Sequence, residues 1–224
     1  MTQDRNALER AALAALELKN RVYRDNPYLW AVERVRTKDE ASQAKLPFPD
    51  KPYIQDLFHA LDTEQKIAVP KSRRMFASWG VATWVLHRIR YHSYSSVYWQ
   101  SLQEAKSAFV VDERIKFIED NLDPMYQKKY VSTKTKTGLV GKLAFPDTES
   151  YVLAIAQGGD QIRSFTPSVL VIDECEFQPE SHDALKAALA TVEKESKIIL
   201  VSTSDGPGKP LATICKDIGF LRFP

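Results

Sequence analysis

The chain has 224 residues, is 44% hydrophobic with ten Phe, nine Tyr and four Trp, and carries 31 Lys+Arg against 29 Asp+Glu for a formal net charge of +2. That suffices for one large α/β domain, or one domain with a helical piece appended. Two cysteines without a C-x-x-C pair, Cys175 and Cys215, argue against a disulfide framework and a structural zinc site, and no apolar run approaches membrane-spanning length.

In chain order, Leu8, Ala11, Ala15, Leu18 and Val22 share one face of a helix expected over residues 4–24, which stops before Asn26-Pro27. Its charged start, Asp4, Arg5, Glu9 and Arg10, stands where a secretory leader needs an apolar core. A second short helix is expected at 28–37. Lys45 to Pro52, with three prolines, reads as a linker that closes a helical appendage over residues 1–50. Tyr53 to Leu61 is helical, with Ile54, Leu57, Phe58 and Leu61 apolar and Gln55 and Asp56 off that face.

Residues 66–80 organise the rest. The β-branched run Ile67 to Val69 breaks at Pro70, passes through Lys71-Ser72-Arg73-Arg74, and enters a helical pattern at Met75, Trp79, Ala82, Leu86 and Ile89. Strand, loop and helix in that order aim backbone N–H groups and a positive helix end at one spot, where a phosphate can sit. Against the pattern G-x-x-x-x-G-K-[ST], Ser78 fills the hydroxyl position, Ala77 replaces the lysine and Phe76 the second glycine. Lys71, at the front of the loop, can reach the same phosphates from the other side. An ordinary basic surface loop before a helix is the plain alternative.

A strand at 95–99 comes next, then a long helix at 103–120 burying Ala108, Val111, Ile115 and Ile118 while Arg114, Lys116 and Glu119 face water. Short strands at Val140–Phe145 and Tyr151–Ile155 flank a basic hairpin. Its lysines, Lys128, Lys129, Lys134 and Lys136, face either DNA or only solvent. Residues 64–142 carry 14 Lys+Arg against 7 Asp+Glu, so the middle of the chain is where a polyanion would bind. After a turn at Gly158-Gly159, Val169 to Ile172 reads as a buried parallel strand ending in Asp173-Glu174. A helix at 181–193, a buried strand from Lys197 to Ser202-Thr203, a Gly206-Pro-Gly208 loop, a short helix near 210–217 and an apolar tail, Phe220 to Phe223, complete the pattern. Alternating strands and helices imply a mostly parallel sheet covered on both faces, with ligands at the strands' carboxyl ends.

Three strand ends then share one edge: Lys71 to Ser78, Asp173-Glu174, and Ser202-Thr203. Phosphoryl transfer needs a metal bridging phosphates, cations against developing charge, and a residue that orients water. Asp173 with Ser78 suits Mg²⁺, and Glu174 suits the water. Strand-end acids in solvent, and hydroxyls satisfying local backbone, are the plain alternatives.

Residues 70–79, Gly158 to Ser164, Val169 to Glu174 and Val201 to Thr203 together resemble the ATPase domain of the terminase large subunit of tailed bacteriophages, from about Pro52 onward. The resemblance implies a P-loop NTPase fold of the ASCE type over residues 51–224, ATP and Mg²⁺ as cofactors, and a motor that pumps double-stranded DNA into a capsid. It makes Gln55 the adenine contact, Lys71, Ser72, Arg74 and Ser78 the nucleotide contacts, and Arg73 an arginine acting on the γ-phosphate within one subunit. Arg163 becomes the arginine offered to a neighbour's nucleotide, and Ser202-Thr203 the coupling motif. The implied partners are DNA, a homo-oligomeric ring on a capsid portal and a small terminase subunit, in the host cytoplasm with no membrane. The family's RNase H-like nuclease would lie beyond Pro224, so no nuclease activity is expected of this chain. Two other readings compete: a nucleotide-independent DNA-binding or docking module on a degenerate loop, and a related helicase or translocase.

Overall fold

Five residues in succession, Val169–Asp173, are buried with no polar face between them, and only a strand covered on both sides accepts that pattern. The structure, a computed structural model, describes residues 2–39, 41–71, 76–158, 167–177, 196–203 and 210–223, with backbone alone for 2–9, 210, 217 and 218. Strand β8 (Val169–Asp173) sits inside an eight-stranded sheet. The sheet holds β3 (Lys66–Lys71), β4 (Ser96–Ser101), β5 (Val131–Lys134), β6 (Val140–Phe145), β7 (Ser150–Ala156), β9 (Lys197–Thr203) and β10 (Leu221–Arg222) in the order β10-β3-β9-β8-β4-β7-β6-β5. From β10 to β7 the pairs are parallel; β6 and β5 close the far edge as an antiparallel hairpin.

Alternation along the strands sorts the core into two layers. Ile67, Val69, Val171, Ile199 and Val201 join one cluster with α3 (Pro52–Thr63) and α4 (Ala77–Tyr91). Ala68, Leu170, Ile172, Ile198 and Leu200 join the other, under α7 (Pro210–Ile218). Lys71 and Asp173 have the parity of the first set, so both project toward α4.

The N-terminal region is part of the first layer. Tyr23, Trp30, Val35 and Phe48 are buried in the same cluster as Phe58 and Ile89, so one core crosses the expected boundary at residue 50. Several expectations change. Helix α1 (Thr2–Asp25) leaves Leu18 and Val22 exposed at 65% and 42%, and touches the body through Leu16 and Tyr23 instead. Helix α2 (Pro27–Arg34) ends three residues early, and the first three residues of the supposed linker are a strand, β2 (Lys45–Pro47), paired antiparallel with β1 (Arg36–Lys38). Asp39 closes their turn by accepting from the Ser42 N–H at 2.7 Å. Glu119, expected in water, is 1% exposed and paired with Arg90. Between α5 (Glu104–Val110) and α6 (Phe117–Asp120), residues Val111–Lys116 form a π-helical segment.

The helix expected at 181–193 and the Gly206-Pro-Gly208 loop lie outside the described residues.

Candidate active site at the carboxyl edge of the sheet

Lys71 ends β3, and α4 begins six residues later. The residue before that helix, Phe76, holds φ 53°, the left-handed region that a glycine usually fills in such loops. A Cβ there costs about 1–2 kcal/mol, so the fold holds this shape against the residue type. Among the described residues no side chain caps α4, and no acid lies in its first turn, which suits that end of the helix to an anion.

The Lys71 ammonium donates to Ser78 Oγ and to Asp173 Oδ1, each at 2.9 Å. Parity put the two strand-end side chains on one face. The four-carbon stem then spans β9, which lies between β3 and β8. The lysine and aspartate side chains are 18% and 8% exposed, so this pair is largely withdrawn from water. An ammonium group, a hydroxyl and a carboxylate thus converge on one point.

The next acid points elsewhere. Glu174 holds φ 55°, and its N–H donates to Val201 O at 2.7 Å and Asp173 Oδ1 at 3.0 Å. A non-glycine residue in that conformation marks local strain of a kind that collects at functional sites. Its carboxylate, 42% exposed, meets Lys106 Nζ of α5 at 3.4 Å. Lys71, Asp173, Glu174 and Lys106 all line one cleft of about 420 Å³, with Arg114 and Phe109 on its far wall. Lys106 and Arg114 carried no signal in the sequence; only the fold brings α5 to this edge.

Ser202 is fully buried, and its Oγ accepts from the Glu176 N–H at 3.1 Å. Glu176 in turn accepts from Leu211 N–H of α7 at 2.7 Å. The end of β9 is therefore tied through the turn after Glu174 to the last helix. Thr203 lies level with Lys71 in the β3–β9 register. Between these residues, Cys175 is buried and its thiol is pushed up to about 12 by burial, so it is inert rather than nucleophilic.

Gln55 is exposed on α3, outside the cluster that Lys71, Ser78 and Asp173 form. Ser72, Arg73, Arg74 and Arg163 lie outside the described residues. Of the hairpin lysines, Lys129, Lys134 and Lys136 are exposed. Lys128 turns inward, donating to Arg90 O at 2.8 Å, and burial lowers its pKa.

Ser78 and Asp173 offer two oxygen donors to a hard divalent cation, and among the described residues no group of three His, Cys, Asp or Glu gathers. That donor set fits Mg²⁺, which takes few protein ligands and completes its shell with water and phosphate oxygens.

No protein-family model matches the sequence, and no curated protein does. Among solved structures the chain is similar to the large terminase of bacteriophage HK97, at 14% identity and a TM-score of 0.63 over 88% of this chain and 41% of that one. It is also similar to the large terminase of a thermophilic bacteriophage in complex with ADP, at 13% identity and 0.58 over 78% of this chain and 45% of that one. The UvsW helicase of bacteriophage T4 is similar at 12% identity and 0.57, over 89% and 66%. The chain spans less than half the length of the two terminases. At these identities the likeness establishes the fold: the P-loop NTPase sheet of phage large terminases and helicases.

Proposed function

We propose that the chain is an ATP-hydrolysing motor unit of a DNA-packaging large terminase. The observation that carries this reading is the convergence of Lys71, Ser78 and Asp173 on one point beside Glu174, at the carboxyl edge of that sheet.

The reading gives each group a task. Lys71 leaves Asp173 for the β- and γ-phosphates as nucleotide enters, acting as a flexible point charge. Ser78 and Asp173 would then hold Mg²⁺, which when bound would neutralise charge developing on the transferred phosphoryl group. Glu174 orients and deprotonates the attacking water, a contribution of about 10² to 10⁴ in rate. The N–H groups at the start of α4 receive a phosphate oxygen. Ser72 and Arg74 add phosphate contacts and Gln55 the adenine contact. Arg73 acts on the γ-phosphate within the subunit and Arg163 on a neighbour's nucleotide, which sets a homo-oligomeric ring on a capsid portal as the working form. The chain of bonds from Ser202 through Glu176 to Leu211 supports a coupling role for Ser202 and Thr203, since it links the acid-bearing turn to α7. Exposed Lys129, Lys134 and Lys136 supply a surface for double-stranded DNA. A small terminase subunit and the host cytoplasm complete the setting.

Steady-state hydrolysis of ATP by Glu174→Gln and Lys71→Ala tests the chemistry. Turnover should fall by at least about a hundredfold in each, and unchanged turnover in both removes the claim in favour of a nucleotide-independent module. The likeness to the T4 helicase favours a second reading, a helicase or translocase with the same motor chemistry. Strand separation on a forked duplex would select it over packaging.

A further inference from the structure

Each member of the Asp173-Glu174 pair is engaged by its own lysine. Lys71 reaches Asp173 from β3, and Lys106 reaches Glu174 from α5 on the opposite wall of the cleft. The two contacts differ in kind. The first is short and largely withdrawn from water; the second is 3.4 Å long between side chains 51% and 42% exposed. Exposed ion pairs are weak and exchange readily. A water-orienting carboxylate paired with Lys106 stays held toward α5 until that contact breaks.

We infer that Lys106 is a positioning residue for the terminal phosphate of a nucleoside triphosphate: it holds Glu174 while no such phosphate is present, and trades it for that phosphate when one enters the cleft. This rests on the proposed hydrolysis at the same site. A triphosphate anchored by Lys71 extends into the space that both lysines line, and its several charges outcompete a single half-exposed carboxylate. Releasing Glu174 and gripping the phosphate are then one movement of one ammonium group. The left-handed backbone at Glu174 fixes where the freed carboxylate swings from. A nucleoside diphosphate lacks the charge that draws Lys106 across, so the carboxylate stays parked.

The test is calorimetry on the whole chain with Mg²⁺ present, titrating ATP-γ-S and ADP into the wild type, Lys106→Ala and Lys106→Arg. Loss of the ammonium should weaken ATP-γ-S by about tenfold, the scale of one charge-assisted contact, and leave ADP unchanged, while arginine restores the preference. A half-exposed side chain can be truncated without threatening the fold, so an equal loss for both nucleotides, or no loss for either, overturns the role of Lys106 alone. Absence of saturable heat with either nucleotide in the wild type overturns it together with the hydrolytic reading.

Discussion

Lys71 occupies the position that a divalent cation would need, because its ammonium already bonds both oxygens, Ser78 Oγ and Asp173 Oδ1, that would hold the ion. Two cations cannot share those oxygens at such distances, so metal without nucleotide should bind poorly. Replacing Lys71 by Met removes the competing charge and keeps the stem. Titration of Mn²⁺ alone, monitored by the resonance of the free ion, should then show at least about tenfold tighter binding in Lys71→Met than in the wild type. Equal affinity would mean that the ammonium and the metal do not compete. This corner of the site was legible in the sequence. A β-branched run broken by Pro70, a hydroxyl at Ser78 and an apolar strand ending in acids pointed to the edge, and only the strand parity of the folded sheet supplied the face. Lys106 was not legible, since its partner lies 68 residues away and nothing local in α5 distinguishes it from an ordinary surface lysine. Phe76 stands against the usual glycine of such loops, yet its backbone takes the left-handed shape a glycine would have taken.

Among the elements, the helical stretch from Glu104 to Asp120 shows how a sequence reading can be right about type and wrong about face. Its apolar positions, Ala108, Val111, Ile115 and Ile118, are all buried as their spacing implied. Glu119, four residues after Ile115, lies on that same face in the core, where its carboxylate receives Arg90 of α4 and the Lys128 N–H at 2.7 Å. Arg90 also donates to Tyr126 O at 2.6 Å, and both charged side chains are 1% exposed. This ion pair locks α4, which starts just after Phe76, to the wall that carries Lys106 and Arg114. Removing one partner strands a buried charge, so Glu119→Ala should destabilise by about 3–5 kcal/mol, read as a lower urea midpoint. The double change Arg90→Met with Glu119→Leu should recover most of that loss, because two apolar side chains need no partner. A single-variant loss below about 1 kcal/mol would show that the pair does not hold these elements together. The β1–β2 hairpin escaped the sequence reading for another reason. Strands of three residues, the second ending in Pro47, carry too little periodicity to separate from a linker.

Across the whole molecule, the layered sheet was implied by alternating strands and helices, but the union of the N-terminal region with the sheet was not. That union runs through His87. Its ring is 2% exposed in α4, lies 4.7 Å from Tyr91 and 5.5 Å from Trp30, and donates from Nε2 to Tyr23 O at 2.8 Å. Burial, aided by His92, Arg90 and Arg88 nearby, pushes its pKa down to about 3, against the opposing pull of the Tyr23 carbonyl. The folded chain therefore keeps the ring neutral where the unfolded chain, titrating near 6.5, takes up a proton. The associated stability is complete above about pH 6.5 and is lost as pH falls from there toward 3, at up to about 1.4 kcal/mol per unit. Between about pH 7 and 5, above most carboxylate titrations, urea unfolding of the wild type should weaken steeply. His92, whose pKa burial also lowers, is replaced by Gln in both chains compared. Against that background His87→Phe should flatten the slope, since an apolar ring of similar shape has no proton to refuse. If the two chains lose stability in parallel, the tie between Tyr23 and α4 is not what acid breaks. The N-terminal helices would then be docked by the apolar burial of Tyr23, Trp30, Val35 and Phe48, whatever the charge on the imidazole that joins them to α4.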